Sequence, residues 1–283
     1  MTEKIVPTAA LVQMTSGIDP GANLATIDRA LADAAAAGAV MAFLPEMSLL
    51  LDRDRSRSAA HIAREEDSPW PRALQQMAQH HGLWIHSGSM PLLADDGTRR
   101  VNRSHVIAAD GSIRARYDKI HMFDVTLPSG ENWTESAAYA GGDAVSVVDT
   151  PVGRLGLSIC YDVRFPELYR RLVDDGATVL AIPAAFTVST GEAHWHVLMR
   201  ARAIETGCFL LAAAQSGDHA DGRATYGHSI AVDPWGAVLA DGGQSDGDSR
   251  YRVLLAPVDG AAVDRARQAI ALDRSRRNRR ISL

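Results

Sequence analysis

Three strand ends of this chain carry groups that acyl-transfer chemistry can use: Glu46 in "MAFLPEMS", Lys119 in "RYDKIHMFDV" and Cys160 in "LSICYDVRF". A thiol can attack a carbonyl carbon, a carboxylate can take the thiol proton, and an ammonium can hold the charge that develops on the carbonyl oxygen. A neighbouring cation also makes a thiol more acidic. Each residue has an ordinary alternative when taken alone. A lone cysteine after a strand is commonly a buried small hydrophobe, Glu46 after Pro45 can open a helix, and Lys119 can sit in solvent. Cys208 inside "IETGCFLLAAA" keeps the inert reading. Cys160 does not, because it stands at a turn between the apolar run 155–159 and a helix pattern that Pro166 starts. Open α/β sheets expose reactive side chains at such strand-to-helix turns.

The elements that must position these groups alternate along the chain. The spacing predicts a strand over 5–14, a helix over 23–38 and a short buried strand over 40–44 that ends in Pro45-Glu46. A charged, loop-like stretch over 52–67 precedes a helix over 70–81 and a strand over 83–89. Strands over 101–109 and 113–117 flank Asp110-Gly111, the strongest hairpin signal in the chain. The second half repeats the style, with strands over 144–149 and 155–160, a helix over 166–175 and a strand over 178–182. A helix over 193–206 and a strand over 208–214 follow, and strands over 229–233, 237–240 and 251–257 close the pattern, with Pro234-Trp235-Gly236 as a turn. Helices alternating with strands and interrupted by hairpins argue a mixed α/β sheet, or a pair of sheets, covered by helices. No Pro/Ser-rich linker marks a boundary, so residues 1–283 read as one domain with 270–283 as a C-terminal tail.

Composition narrows the function classes. The 283 residues are 46% hydrophobic, ample for a large core, and carry a formal charge of -5. That balance gives nucleic acid no electrostatic reason to bind, and the basic run 274–280, "RSRRNRR", reads as a solvated or partner-docking tail. Two cysteines and an N-terminus without a long apolar region point to a reducing, cytoplasmic location, and no stretch is apolar enough to span a bilayer. "HWH" at 194–196 hints at a metal, but i and i+2 side chains diverge on a helix and no Cys/His cluster accompanies it in the sequence. No phosphate-binding or dinucleotide-binding glycine fingerprint occurs. Neither a metal nor a cofactor is therefore expected.

In their order and separation, "FLPE", "YDKIHMFDV" and "GLSICYDVRFPELYR" resemble the Glu, Lys and Cys signatures of the nitrilase superfamily of carbon–nitrogen hydrolases. The resemblance runs from "AALVQMTS" near the N-terminus to "YGHSIAVDPWG" near the C-terminus. It implies a four-layer α-β-β-α sandwich, with Cys160 as nucleophile, Glu46 as general base and Lys119 as the oxyanion-stabilising cation, assisted by the backbone N–H of Tyr161. It also implies a second glutamate between the Lys and Cys motifs, which Glu135 matches better than Glu131 and which positions Lys119 and the substrate. The stretch "GEAHWHVLMRARAIETGCFLLAAAQSG" is similar to the branch of nitrilase-like amidases that act on deaminated glutathione, with 2-oxoglutaramate as the alternative substrate. Such substrates are small anionic amides, so the pocket needs a cation. Arg164 is the first candidate, the alternative being a structural pair with Asp162 or Glu167. Phe186, Thr187 and His121 are candidates for lining the site, with plain packing as their alternative. The resemblance further implies a homodimer that pairs one helical layer of each subunit.

Overall fold

Period-two alternation along β1 (Thr8–Met14) sends its two faces into different cores. Ala9 and Leu11 join one cluster of buried residues, while Ala10, Val12 and Met14 join another. β2 (Met41–Phe43) divides the same way, Met41 and Phe43 to the first cluster and Ala42 to the second. A strand buried on both faces must be covered twice. The computed structural model describes residues 6–270 except 96, 128, 129, 131, 246 and 248, so Glu131, the basic run and the tail beyond Ile270 lie outside the described residues.

The first sheet continues through β3 (Trp84–His86), β4 (Met90–Leu93), β5 (Arg100–Ile107) and β6 (Ile113–Asp118). β7 (Asp124–Thr126) and β8 (Asn132–Thr134) make a separate hairpin. The second sheet takes β9 (Val147–Thr150), β10 (Gly153–Leu157), β11 (Val179–Ala181) and β12 (Phe209–Ala212). β13 (Ser216–Asp218) and β14 (Ala224–Tyr226) form another small hairpin, β15 (Ile230–Val232) and β16 (Val238–Asp241) complete the second sheet, and β17 (Tyr251–Pro257) returns to the first. The orders are β17-β1-β2-β3-β5-β4, with β6 on β5, and β16-β15-β12-β11-β10-β9. β1, β2 and β3 run parallel, as do β10, β11 and β12.

Helices cover the outer faces. α1 (Pro20–Ala36) and α3 (Pro69–His81) bury Ile27, Leu31, Leu74 and Ala78 against the second face of the first sheet. A short helix, α2 (Arg55–Ala59), interrupts the charged stretch, capped by the Asp54 side chain. α4 (Pro166–Asp174) and α5 (Val188–Thr206) bring Leu168, Leu172, Trp195 and Met199 onto the second sheet. Residues of both sheets share the central cluster, which holds Leu11 and Phe43 of the first together with Leu155, Leu157 and Val179 of the second. The result is a four-layer α-β-β-α sandwich. Among the described residues, no helix is long and apolar enough to cross a membrane.

The Asp110-Gly111 hairpin forms between β5 and β6, with Gly111 at φ 81. α5 begins at Val188, five residues before the expected start, because Gly191 is a packing position rather than a break: a Cβ there would lie 2.2 Å from the Tyr226 ring. β4, the β7–β8 and β13–β14 hairpins and α6 (Gly260–Ile270) extend the expected element list.

Candidate active site

Glu46 sits in the turn after β2, and that turn is fixed by a close backbone approach. Gly88, at φ 67, passes so near that a Cβ would lie 1.9 Å from the Pro45 carbonyl oxygen. Met47, itself left-handed at φ 54, donates its N–H to Ser89 Oγ at 3.0 Å. The Glu46 carboxylate is buried, and three donors converge on it. Oε1 accepts from Asn102 Nδ2 and Lys119 Nζ, each at 3.0 Å, and Oε2 accepts from the Ala185 N–H at 3.0 Å.

Lys119 follows β6 directly. Its N–H donates to the Asn102 carbonyl at 3.0 Å, and its own carbonyl accepts from Gly142 at 2.8 Å. Nζ lies 2.9 and 3.1 Å from the two oxygens of Glu135, besides its contact with Glu46. Glu135 stands in a single 3-10 turn after β8 and is held by the Phe123 N–H at 2.7 Å. Burial alone would lower the ammonium's pKa. The carboxylates of Glu135 and Glu46 outweigh it and hold Lys119 well above its ordinary value, so the cation persists.

Cys160 begins a 3-10 turn, Cys160–Arg164, three residues past β10. Its φ of 48 is left-handed, a conformation that costs a non-glycine residue roughly 1–2 kcal/mol and lifts the side chain out of the sheet. The turn is tied down by Asp162, which is fully buried. One oxygen accepts from the Ile159 N–H at 2.8 Å and from the Tyr117 hydroxyl at 2.7 Å, and the other from the His121 N–H at 3.0 Å. Asp162 thus fastens the nucleophile turn to the segment that carries Lys119. Burial and the neighbouring Glu46 carboxylate push the Cys160 thiol well above its ordinary pKa, against the pull of Lys119. The thiol is protonated at rest, beside a carboxylate able to take its proton.

These groups line a cavity of about 300 Å³ together with Tyr161, Arg164, Phe186 and Thr187. Arg164 forms neither of the pairs open to it in the sequence. Its guanidinium lies over the rings of Phe186 and Tyr161, at 5.5 and 5.7 Å, and reaches His194 Nδ1 at 3.3 Å. His121 is a correction. It stacks on Phe165 at 3.6 Å and its Nδ1 bonds Asp162 at 2.7 Å, so it braces the nucleophile turn and is not part of the cavity wall. Four further arginines, Arg53, Arg55, Arg100 and Arg223, also line the cavity. Arg223 pairs with Asp221, whereas among the described residues Arg53, Arg55, Arg100 and Arg164 form no ion pair with a carboxylate. Such a wall favours an anion.

The carbon-nitrogen hydrolase pattern matches residues 8–268. The chain belongs to the carbon-nitrogen hydrolase family. It is a hydrolase of carbon–nitrogen bonds other than peptide bonds and acts on small molecules. Among proteins similar to this family member, the deaminated glutathione amidase of Yersinia enterocolitica is 42% identical over 248 residues, 87% of this chain and 85% of that protein. The deaminated glutathione amidase of Homo sapiens is 39% identical over 254 residues, covering 88% and 77%. The crystal structure of the Caenorhabditis elegans NitFhit protein superposes with a TM-score of 0.84 at 36% identity, over 97% of this chain and 65% of that longer one. A Saccharomyces cerevisiae member of the nitrilase superfamily superposes equally well, TM-score 0.84 at 27% identity, over 98% and 100%.

Asn102 and Ala185, the donors that aim Glu46, were not foreseen, nor were the arginines other than Arg164. Asn102 lies mid-strand in β5, where an asparagine between Val101 and Arg103 looks like an ordinary polar alternation. The clustering of Arg53 and Arg55 in the charged 52–67 stretch was the available signal.

Proposed function

We propose that this hydrolase cleaves the amide of deaminated glutathione to 2-oxoglutarate and cysteinylglycine through a thioester on Cys160. The observation that carries the reading is the set of four guanidiniums, without carboxylate partners among the described residues, in the wall of the cavity that holds Cys160. Deaminated glutathione is anionic at both ends, one carboxylate on the oxo-acid and one on glycine, and each needs a cation. The names of the similar amidases support the same substrate. 2-Oxoglutaramate carries one carboxylate and would leave most of these arginines unused.

The proton path follows from the contacts. Glu46 takes the thiol proton as Sγ bonds to the amide carbon. Lys119 Nζ and the Tyr161 N–H hold the tetrahedral oxyanion. Glu46 returns the proton to the amide nitrogen as the carbon–nitrogen bond breaks, and cysteinylglycine leaves. Water, deprotonated by Glu46, then attacks the thioester, and its collapse releases the carboxylate product and the thiol. Glu135 keeps Lys119 aimed at the oxyanion and touches no reacting atom in this scheme.

The reading extends to one domain over 1–283, supported by the pairing of β1 with β17, which brings both ends of the fold to one sheet. It extends to a homodimer built on α5. Val197 and Ile204 are 70% and 49% exposed on that helix, and Trp235, 61% exposed, occupies the adjoining β15–β16 turn. A cytoplasmic location is supported by the chemistry assigned to Cys160, whose thiol must stay reduced to act. The test is kcat/KM on deaminated glutathione beside 2-oxoglutaramate, following 2-oxoglutarate release, with Cys160→Ala as the blank. At least tenfold preference for deaminated glutathione is expected. Preference for 2-oxoglutaramate would overturn the substrate, and activity retained in Cys160→Ala would overturn the mechanism.

A further inference from the structure

Outside the catalytic cavity, three side chains from distant parts of the sequence meet at one point. His196 lies on α5, His228 in the turn before β15, and Asp241 at the end of β16. His196 Nε2 is 2.8 Å from Asp241 Oδ2, and His228 Nδ1 is 2.8 Å from Asp241 Oδ1. The three donor atoms all lie within 4.8 Å of one another. His194 and His196 do diverge, the first toward Arg164, but His196 finds its partners on a strand and a turn that sequence spacing cannot bring together.

The cluster is held rigidly from outside. The His228 ring stacks on Tyr226 at 4.5 Å and 22°, and His196 meets it edge-on at 4.9 Å. His228 has a left-handed backbone, φ 55, fixed by its N–H to the Gly243 carbonyl at 2.8 Å and by Trp195 Nε1 donating to its own carbonyl at 2.8 Å. Trp195 precedes His196 on the helix, so one packing arrangement aims both imidazoles. The Gly243 N–H orients Asp241 through Oδ1 at 2.9 Å. The side chains of His196, Asp241 and His228 remain 36%, 30% and 20% exposed, open to an ion from solution.

We propose that His196, His228 and Asp241 form a zinc-binding site that clamps α5 to the β15–β16 hairpin. Two imidazoles and a carboxylate suit Zn²⁺. Bonds of about 2.0–2.2 Å put donors of a tetrahedral ion roughly 3.3 Å apart, so the 2.8 Å separations need only a slight opening to admit one. Each neutral imidazole then carries its proton on the opposite ring nitrogen, and water completes the coordination. None of the three residues lines the cavity that contains Cys160. The clamp lies next to Val197 on the outer side of α5, so the ion would stiffen the face proposed for subunit pairing.

The experiment uses full-length, untagged Cys160→Ala protein, which removes the catalytic thiol as a competing ligand. Zn²⁺ is titrated against a chromophoric chelator, and the thermal midpoint is followed with and without Zn²⁺. One ion per chain and a rise in the midpoint are expected. Adding His196→Ala or Asp241→Asn should weaken binding at least about tenfold and remove the rise. His196→Gln serves as a further variant because it keeps the helix surface intact. Zn²⁺ binding well below one ion per chain, or equal affinity in all variants, would overturn the site.

Discussion

Lys119→Met isolates what the buried cation does for both folding and turnover. The change nearly conserves side-chain volume, so cavity effects are small. What it leaves is two carboxylates, Glu46 and Glu135, which lay 3.0 and 2.9 Å from the lost ammonium. Removing one partner of a buried ion pair costs about 3–5 kcal/mol. Glu46 keeps its bonds from Asn102 and Ala185, and Glu135 keeps the Phe123 N–H, so the lower end, about 3 kcal/mol near pH 8, is expected. Two like charges cannot both ionise comfortably in that space, so one carboxyl of the folded variant titrates above its unfolded value. The penalty is therefore complete above the raised folded pKa and shrinks as pH falls through it. It disappears below the unfolded value of about 4.3, each unit of elevation being worth about 1.4 kcal/mol. Urea unfolding at about pH 8 and about pH 5 measures the stability gap between variant and parent. It should narrow by more than 1 kcal/mol at the lower pH, and Lys119→Met/Glu135→Gln should be more stable than Lys119→Met. Loss of an oxyanion donor should also lower kcat by about 10²–10³. A gap that does not change with pH, or turnover within about tenfold of the parent, would refute the reasoning.

Gly88→Ala should destabilise by at least about 2 kcal/mol and lower kcat, because its Cβ would strike the Pro45 carbonyl that precedes Glu46. Gly38→Ala, equally left-handed at φ 78 but with open space around it, should cost only about 1 kcal/mol, and chemical denaturation compares the two. Arg164→Gln should raise KM for deaminated glutathione by roughly 10–100-fold with a smaller change in kcat, as loss of a charge-assisted contact to ground state and transition state alike requires. Val197→Asp puts a charge at the centre of the exposed α5 face, and light scattering should then report half the parent's mass.

Local chemistry made some parts of this molecule legible and left others hidden. The Asp110-Gly111 turn and the Pro166 start of α4 are decided by a few adjacent residues, and both appear where expected. Glu46, Lys119 and Cys160 were legible because each stands at or just past the end of a strand, and the structure brings all three into one cavity. The β7–β8 and β13–β14 hairpins have three-residue strands, too short for period-two alternation to register. His121 was misplaced because its function is set by Asp162, forty-one residues away, and not by its nearness to Lys119. The same holds for the arginine wall, contributed by the 52–67 stretch, β5 and the β13–β14 hairpin, and assembled only when the sheets pack.

The hydrogen bond from the Ala185 N–H to Glu46 spans 139 residues and crosses from the second sheet to the first. Gln215 adds a parallel tie, donating to the Glu46 carbonyl at 3.0 Å and to Ser16 Oγ at 2.7 Å. Base and nucleophile thus belong to different layers, and neither layer contains a working site by itself. Turnover consequently gauges interlayer docking. A partly unfolded chain whose sheets and helices persist but whose layers have slipped apart would keep its far-ultraviolet circular dichroism and hydrolyse nothing, so inactivation should run ahead of secondary-structure loss wherever unfolding is not all-or-none.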